Sequence, residues 1–311
     1  MYTLGIQNYG LLIVISCLWG SQFLFNNLAL QVWSPLWIAT LRALLGATTL
    51  TVLLPIYRYY FGRKINNICL RRYWSVIFAI AALEVTLPFL LVVWGQQFIN
   101  SSLTAVLLGT IPIFTALIVL LFSQKESVSW GIAVSIGLGF VGLLVLFGPV
   151  FFLQQTYSVI NIKGQIAVLG GAVAFATSLV LIKKLNPADP VMTARDILFC
   201  GAIQLYLLLI LNHEHLPANI TFYSIVALLM LGIFCTGIVY ACYVVLIARA
   251  GSTFAAFANY LVPVVGVMLG VLVLHEKLFW YQTIAMGIII AALITNGLFK
   301  KNYLRRERLY K

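Results

Sequence analysis

Charge is scarce in this chain. Of its 311 residues only 8% are Asp, Glu, Lys or Arg, with seven acidic residues, three histidines and five cysteines. Soluble domains carry roughly a quarter of their residues as charges, so a water-facing surface on all sides is excluded. Cys17, Cys69, Cys200, Cys235 and Cys242 form no C-x-x-C or Cys/His cluster, which removes a disulfide framework and a zinc site and leaves small buried apolar residues. The histidines are equally uninformative: "NHEH" at 212–215 is a short solvated pair, and His275 stands apart. No nucleophile, acid or metal constellation emerges, so the expectation is no enzyme, no metal and no cofactor. The N-terminus has no Lys or Arg, and the first apolar run continues through "CLWGSQFLFNNLAL" without a small-residue cleavage site, so it reads as a spanning helix rather than a cleaved leader.

What remains is apolar: 63% of the chain. About 20 apolar residues cross a hydrocarbon core, and on that basis ten helices are predicted near 9–31, 34–58, 73–98, 101–123, 128–149, 162–183, 188–211, 220–248, 252–274 and 278–299. A spanning barrel would instead show alternating segments of about ten residues. The net charge of +12 does not indicate nucleic acid, because the basic residues sit in short segments between apolar runs. Placing the N-terminus inside collects Arg58, Arg63, Lys64, Arg71, Arg72, Lys125, Lys183, Lys184, Arg249 and the tail "KKNYLRRERLYK" in the cytoplasm, leaving only Lys163 and Lys277 outside. Both termini are therefore predicted cytoplasmic. The tail reads as a solvated orienting segment attracted to anionic lipid.

The chain also repeats itself. Setting "SSLTAVLLGTIPIFTALIVLLFSQKESVSWG" from Ser101 against "GSTFAAFANYLVPVVGVMLGVLVLHEKLFWYQ" from Gly251 pairs Ala105 with Ala255, Glu126 with Glu276, Trp130 with Trp280 and Gly137 with Gly287, while Pro112 falls close to Pro263. The units are 1–150, a linker at 151–161, 162–300, and the basic tail 301–311. Five helices per unit is an odd number, so the second enters from the opposite side. The predicted fold is ten transmembrane helices as two inverted five-helix repeats, an architecture that makes transport the default function.

"CLWGSQFLFNNLAL" and "SPLWIATLRALL", followed by the Pro to Glu segments before Trp130 and Trp280, resemble the drug/metabolite transporter superfamily, in its ten-helix branch with two EamA-type domains. The resemblance covers nearly the whole chain except the tail. It implies a carrier of the bacterial inner membrane working by alternating access, often exporting amino acids or related metabolites from a central cavity. This chain departs from the family where the first repeat usually ends in Gly-Glu-Arg and here reads "SQKES". The nucleotide-sugar branch is disfavoured, since the stretch "FANYLVPVVG" carries no lysine.

Candidate site residues are those that lipid would reject. Glu84, in "ALEVTLPFLL", lies about 17 Å deep at 1.5 Å per residue, near the midplane. A charge there costs at least about 2.5–3.5 kcal/mol, so it faces a cavity or a partner. It is a ligand for a substrate amine, a proton carrier, or a structural partner of Arg42, which lies at similar depth. Trp19, Gln22 and Asn26 share one face of the first helix, as cavity lining or as interhelical amide bonds. Tyr240 and Tyr243, and Asn259 with Tyr260, are aromatic and amide candidates for holding an ammonium or an apolar side chain. Trp94 is a further candidate nearer the interface, where Trp is ordinarily an anchor. Pro88, Pro112 and Pro263 are expected to bend helices at the cavity. The partners expected are a small-molecule substrate, with protons as the candidate coupling ion, and the bilayer. Oligomeric state is left open. A passive pore or an integral membrane enzyme is the alternative to a carrier.

Overall fold

The computed structural model describes residues 6–61, 68–122, 159–185, 190–250 and 258–278, with scattered helical residues within 134–145 and 280–295. Helix α1 is Ile6–Leu30 and α2 is Pro35–Phe61. The third span, α3, is assembled from Ile68–Ala81, a π-helical turn at Ala82–Thr86, and Leu87–Gly95. Then follow α4 (Ser101–Leu108), α5 (Ile111–Phe122), α6 (Val159–Leu185) and α7 (Pro190–Leu211). The span α8 joins Phe222–Leu229, a π-helical stretch Met230–Ile238, and Val239–Ala250, and α9 is Ala258–Val273. Among the described residues six helices are long and apolar enough to cross a membrane, with shorter apolar helical stretches at 101–115, 261–273 and 283–292. The protein is thus an all-α, multi-span membrane protein. The span predicted at 128–149, the linker 151–161 and the tail 301–311 lie largely or wholly outside the described residues.

One expectation is corrected. The fourth span is not one helix: α4 ends at Leu108, and a turn at Gly109 and Thr110 separates it from α5. Pro112 then occupies the second position of α5, where its missing N–H leaves no helical hydrogen bond unmade. Pro263 lies within α9, whose helix runs on past it.

The helices pack through small residues, as they must where lipid removes the hydrophobic drive between them. A Cβ on Gly20 of α1 would stand 2.5 Å from the Val265 side chain of α9, and one on Gly201 of α7 would stand 2.5 Å from Val85 of α3. On α8, Gly232 and Gly237 let the π-helical stretch lie against Leu45 and Thr49 of α2. Large apolar side chains such as Val52, Leu121, Ile203 and Leu272 remain exposed on the bundle surface, a liability in water and a requirement in lipid.

Connections predicted to share one side of the membrane meet at one end of the bundle. Trp37 Nε1, near the start of α2, donates to the carbonyl of His215 in the α7–α8 connection, 3.0 Å away. Glu276, after α9, accepts from the backbone N–H groups of Ser101 and Ser102 at the start of α4, at 2.8 and 2.9 Å. Gly95, ending α3, abuts Gly164 near the start of α6.

Candidate functional site

A cavity with an open mouth lies where the helices cross. Trp19, Gln22 and Phe23 of α1 and Arg42 of α2 form one part of its wall, with Pro88 and Phe89 of α3 beside them. The α4–α5 turn contributes Leu108 and Gly109. Phe175 of α6, Tyr240 of α8, and Val262 with Pro263 of α9 complete it. Helices from both copies of the sequence repeat therefore share this wall. There the α4–α5 turn of one half closely approaches α9 of the other, since a Cβ on Gly109 would lie 2.9 Å from Pro263 Cγ.

Both polar anchors near the cavity depend on π-helical turns. In α3 the Leu87 N–H bonds back five residues to Ala82, one residue before Pro88. Proline lacks an N–H and its ring crowds the carbonyl four residues earlier, which here belongs to Glu84; the wider turn accommodates both. In α8 the Thr236 hydroxyl donates to the Leu231 carbonyl, five residues back, at 2.8 Å. Such turns occur often at functional sites.

Glu84 is 4% exposed and lies just behind the wall rather than in it. Its Oε1 accepts from the Tyr240 hydroxyl at 3.0 Å, and its Oε2 accepts a short hydrogen bond from Ser178 of α6. Arg42, 5% exposed, donates through Nε to the Thr236 hydroxyl at 2.9 Å and through Nη2 to Gln22 Oε1 at 2.7 Å, and its guanidinium sits 4.2 Å from the centroid of the Phe89 ring. The ion pair that the sequence offered between Glu84 and Arg42 is not formed. Each charge instead has its own neutral partners, Ser178 and Tyr240 for Glu84, Thr236 and Gln22 for Arg42.

Five of the aromatic and amide candidates separate by role. Trp19 and Tyr240 line the cavity, their rings edge-on at 6.1 Å, while Tyr243 packs behind Trp19 at 5.0 Å. Asn26 does not reach the cavity: it is fully buried and its Nδ2 donates to Gln96 Oε1 at 2.8 Å. Gln96 in turn donates to the Phe23 carbonyl and to Ser101, so this amide pair ties α1 to the α3–α4 connection. Trp94, 37% exposed, stands edge-on to Phe98 at 4.7 Å and is likewise away from the cavity. Asn259 and Tyr260 belong to the first turn of α9, and their side chains lie outside the described residues, as does that of Pro112.

Sequence reasoning passed over Phe89, Phe175, Ser178 and Thr236. The two hydroxyl residues had the same signal as Glu84, a polar group in a long apolar run. Phe89 and Phe175 had none, since an aromatic in such a run is indistinguishable from packing.

The architecture defines a multi-span helical membrane protein with a central, mostly apolar cavity between two halves. The family model of the EamA-like transporter family matches residues 8–148 and again 162–298, and the chain belongs to that family. It is 25% identical over 296 residues to the uncharacterized transporter YoaV of Bacillus subtilis, covering 94% of this chain and 95% of that protein. It is 25% identical over 288 residues to the uncharacterized inner membrane transporter YedA of Escherichia coli K12, covering 92% and 89%. One solved crystal structure superposes with a TM-score of 0.65 over 96% of this chain and 98% of its own at 14% identity, a likeness of fold alone. The protein is a membrane transporter.

Proposed function

We propose that the protein is a secondary carrier of the bacterial cytoplasmic membrane that moves a small organic metabolite, an amino acid or related amine, outward by alternating access. The observation that carries this reading is the shared wall of the cavity, in which Gln22, Arg42 and Pro88 of one half face Tyr240 and Pro263 of the other. Rocking of two inverted halves about such a site exposes it first to one side and then to the other. Family membership supports transport, and the basic loops and tail support cytoplasmic termini.

Counterflow in proteoliposomes tests it. Labelled amino acids and amines enter vesicles preloaded with the same unlabelled solute; a carrier gives saturable uptake accelerated by the internal solute. Flux that neither saturates nor responds to internal solute means a pore. Inside-out vesicles then report direction, since an exporter accumulates the solute in them. A reporter active only in the cytoplasm, fused after Lys311, gives signal if the C-terminus is inside.

A further inference from the structure

The one charged side chain among the described residues lining the cavity is a cation. Arg42 carries five N–H donors in a planar fork, and two are engaged, by Thr236 and Gln22. The other three have no acceptor among the described residues. The Thr236 hydroxyl is itself committed, accepting from Arg42 while donating to Leu231, and Phe89 lies against the guanidinium. The fork is therefore fixed in place with open donors and no carboxylate of its own, because the oxygens of Glu84 are held by Ser178 and Tyr240. Gln22 adds to it. Arginine can only donate, so Gln22 turns Oε1 toward Arg42 and keeps its amide N–H groups as further donors at the cavity. A buried guanidinium without a counter-ion is unfavourable, and a planar two-oxygen anion matches its geometry.

Resting on the carrier reading above, we propose that Arg42 anchors a carboxylate of the transported solute. The substrate class is then a small carboxylic acid with an apolar body. Trp19, Phe175 and Val262 supply the apolar surface for that body. Free amino acids belong to the class and the amines made by decarboxylating them do not, since an ammonium ion brought into this wall meets the charge of Arg42. Glu84 acts at one remove, holding the hydroxyl of Tyr240 in the wall.

Two matched triplets test the proposal on the full-length protein: leucine, 3-methylbutylamine and 4-methylpentanoate, and phenylalanine, phenethylamine and 3-phenylpropionate. Binding by thermal shift and calorimetry, and counterflow in proteoliposomes, are read for each member. The expected result is binding by carboxylate-bearing members and silence from both amines. Arg42→Gln lowers carboxylate affinity by roughly thirtyfold or more, and Arg42→Lys retains part of it. The ranking within each triplet on the unaltered protein stands as evidence even where a variant does not fold. An amine that binds as tightly as its matching acid overturns the proposal, as does silence of all four carboxylates, or full affinity in folded Arg42→Gln. Saturable exchange of amines but not acids leaves the carrier intact and removes the anchor. Non-saturable leak of every probe removes the carrier reading and the anchor with it.

Discussion

Tyr240 donates its hydroxyl to Glu84 across 3.0 Å, joining residues 156 positions apart from opposite halves of the chain. It places an aromatic face in the cavity wall and a carboxylate directly behind it. A hydrogen bond to a buried carboxylate contributes about 1.5–3 kcal/mol, and residues in direct contact depart from additivity. The expected outcome is that Tyr240→Phe and Glu84→Leu are each destabilising in detergent, with a double-mutant coupling energy of about 1.5 kcal/mol or more. Additive effects in the cycle disprove the contact's contribution.

Gln22 and Asn26 share a face of α1 but differ in what they touch, and their alanine variants are expected to differ likewise. Gln22→Ala removes an acceptor for Arg42 at the cavity, so solute affinity falls with a modest change in stability. Asn26→Ala leaves Gln96 with an unmet acceptor in a fully buried place, which costs about 1–3 kcal/mol of stability while solute affinity stays near its original value. Isothermal titration and chemical denaturation of both variants check the pairing; a reversed pattern contradicts it.

Glu276 closes the N-terminus of α4 with both carboxylate oxygens, receiving two backbone N–H groups and the Ser102 hydroxyl at 2.5 Å. Charge and donors at a helix N-terminus reinforce each other. Glu276→Gln keeps one acceptor oxygen and loses the charge, and is expected to lower stability by about 1–2 kcal/mol. Hydrogen exchange at Ser101 and Ser102 should accelerate in the variant. Unchanged exchange shows that α4 is capped without it.

Gly266 of α9 is expected to accept no side chain. A Cβ there would fall 2.6 Å from that of Ala105 and 2.8 Å from the Phe23 ring, so α4 or the cavity-lining Phe23 would have to shift. Gly266→Ala therefore costs about 1–3 kcal/mol, and Gly266→Leu more. Thermal unfolding in detergent measures it, with Gly10→Ala as the control, because no atom lies within 4 Å of a Cβ built there.

Much of this molecule was legible from composition and periodicity. Lipid satisfies no backbone polar group, so a chain with this many apolar runs has almost no choice but helices, and their approximate ends are marked by charge and proline. The polar, aromatic and proline residues that stand out in these runs were equally visible, and Trp19, Gln22, Arg42, Pro88, Tyr240 and Pro263 among them line one cavity.

Other features depended on neighbours that no local pattern encodes. Asn26 carried the same signal as Gln22, yet a residue four positions further along α1 meets Gln96 instead of the cavity. The break at Gly109 and the widened turns around Glu84 and Thr236 change helical phase, and a change of phase redirects every side chain beyond it. Glu84 shows the division most clearly. Its sequence context alone established that so deep a carboxylate needs a partner, because desolvating an unpaired charge is too costly. Which partner it has was decided by the packing of α3, α6 and α8, which brings Ser178 and Tyr240 to its two oxygens and leaves Arg42 open to the cavity.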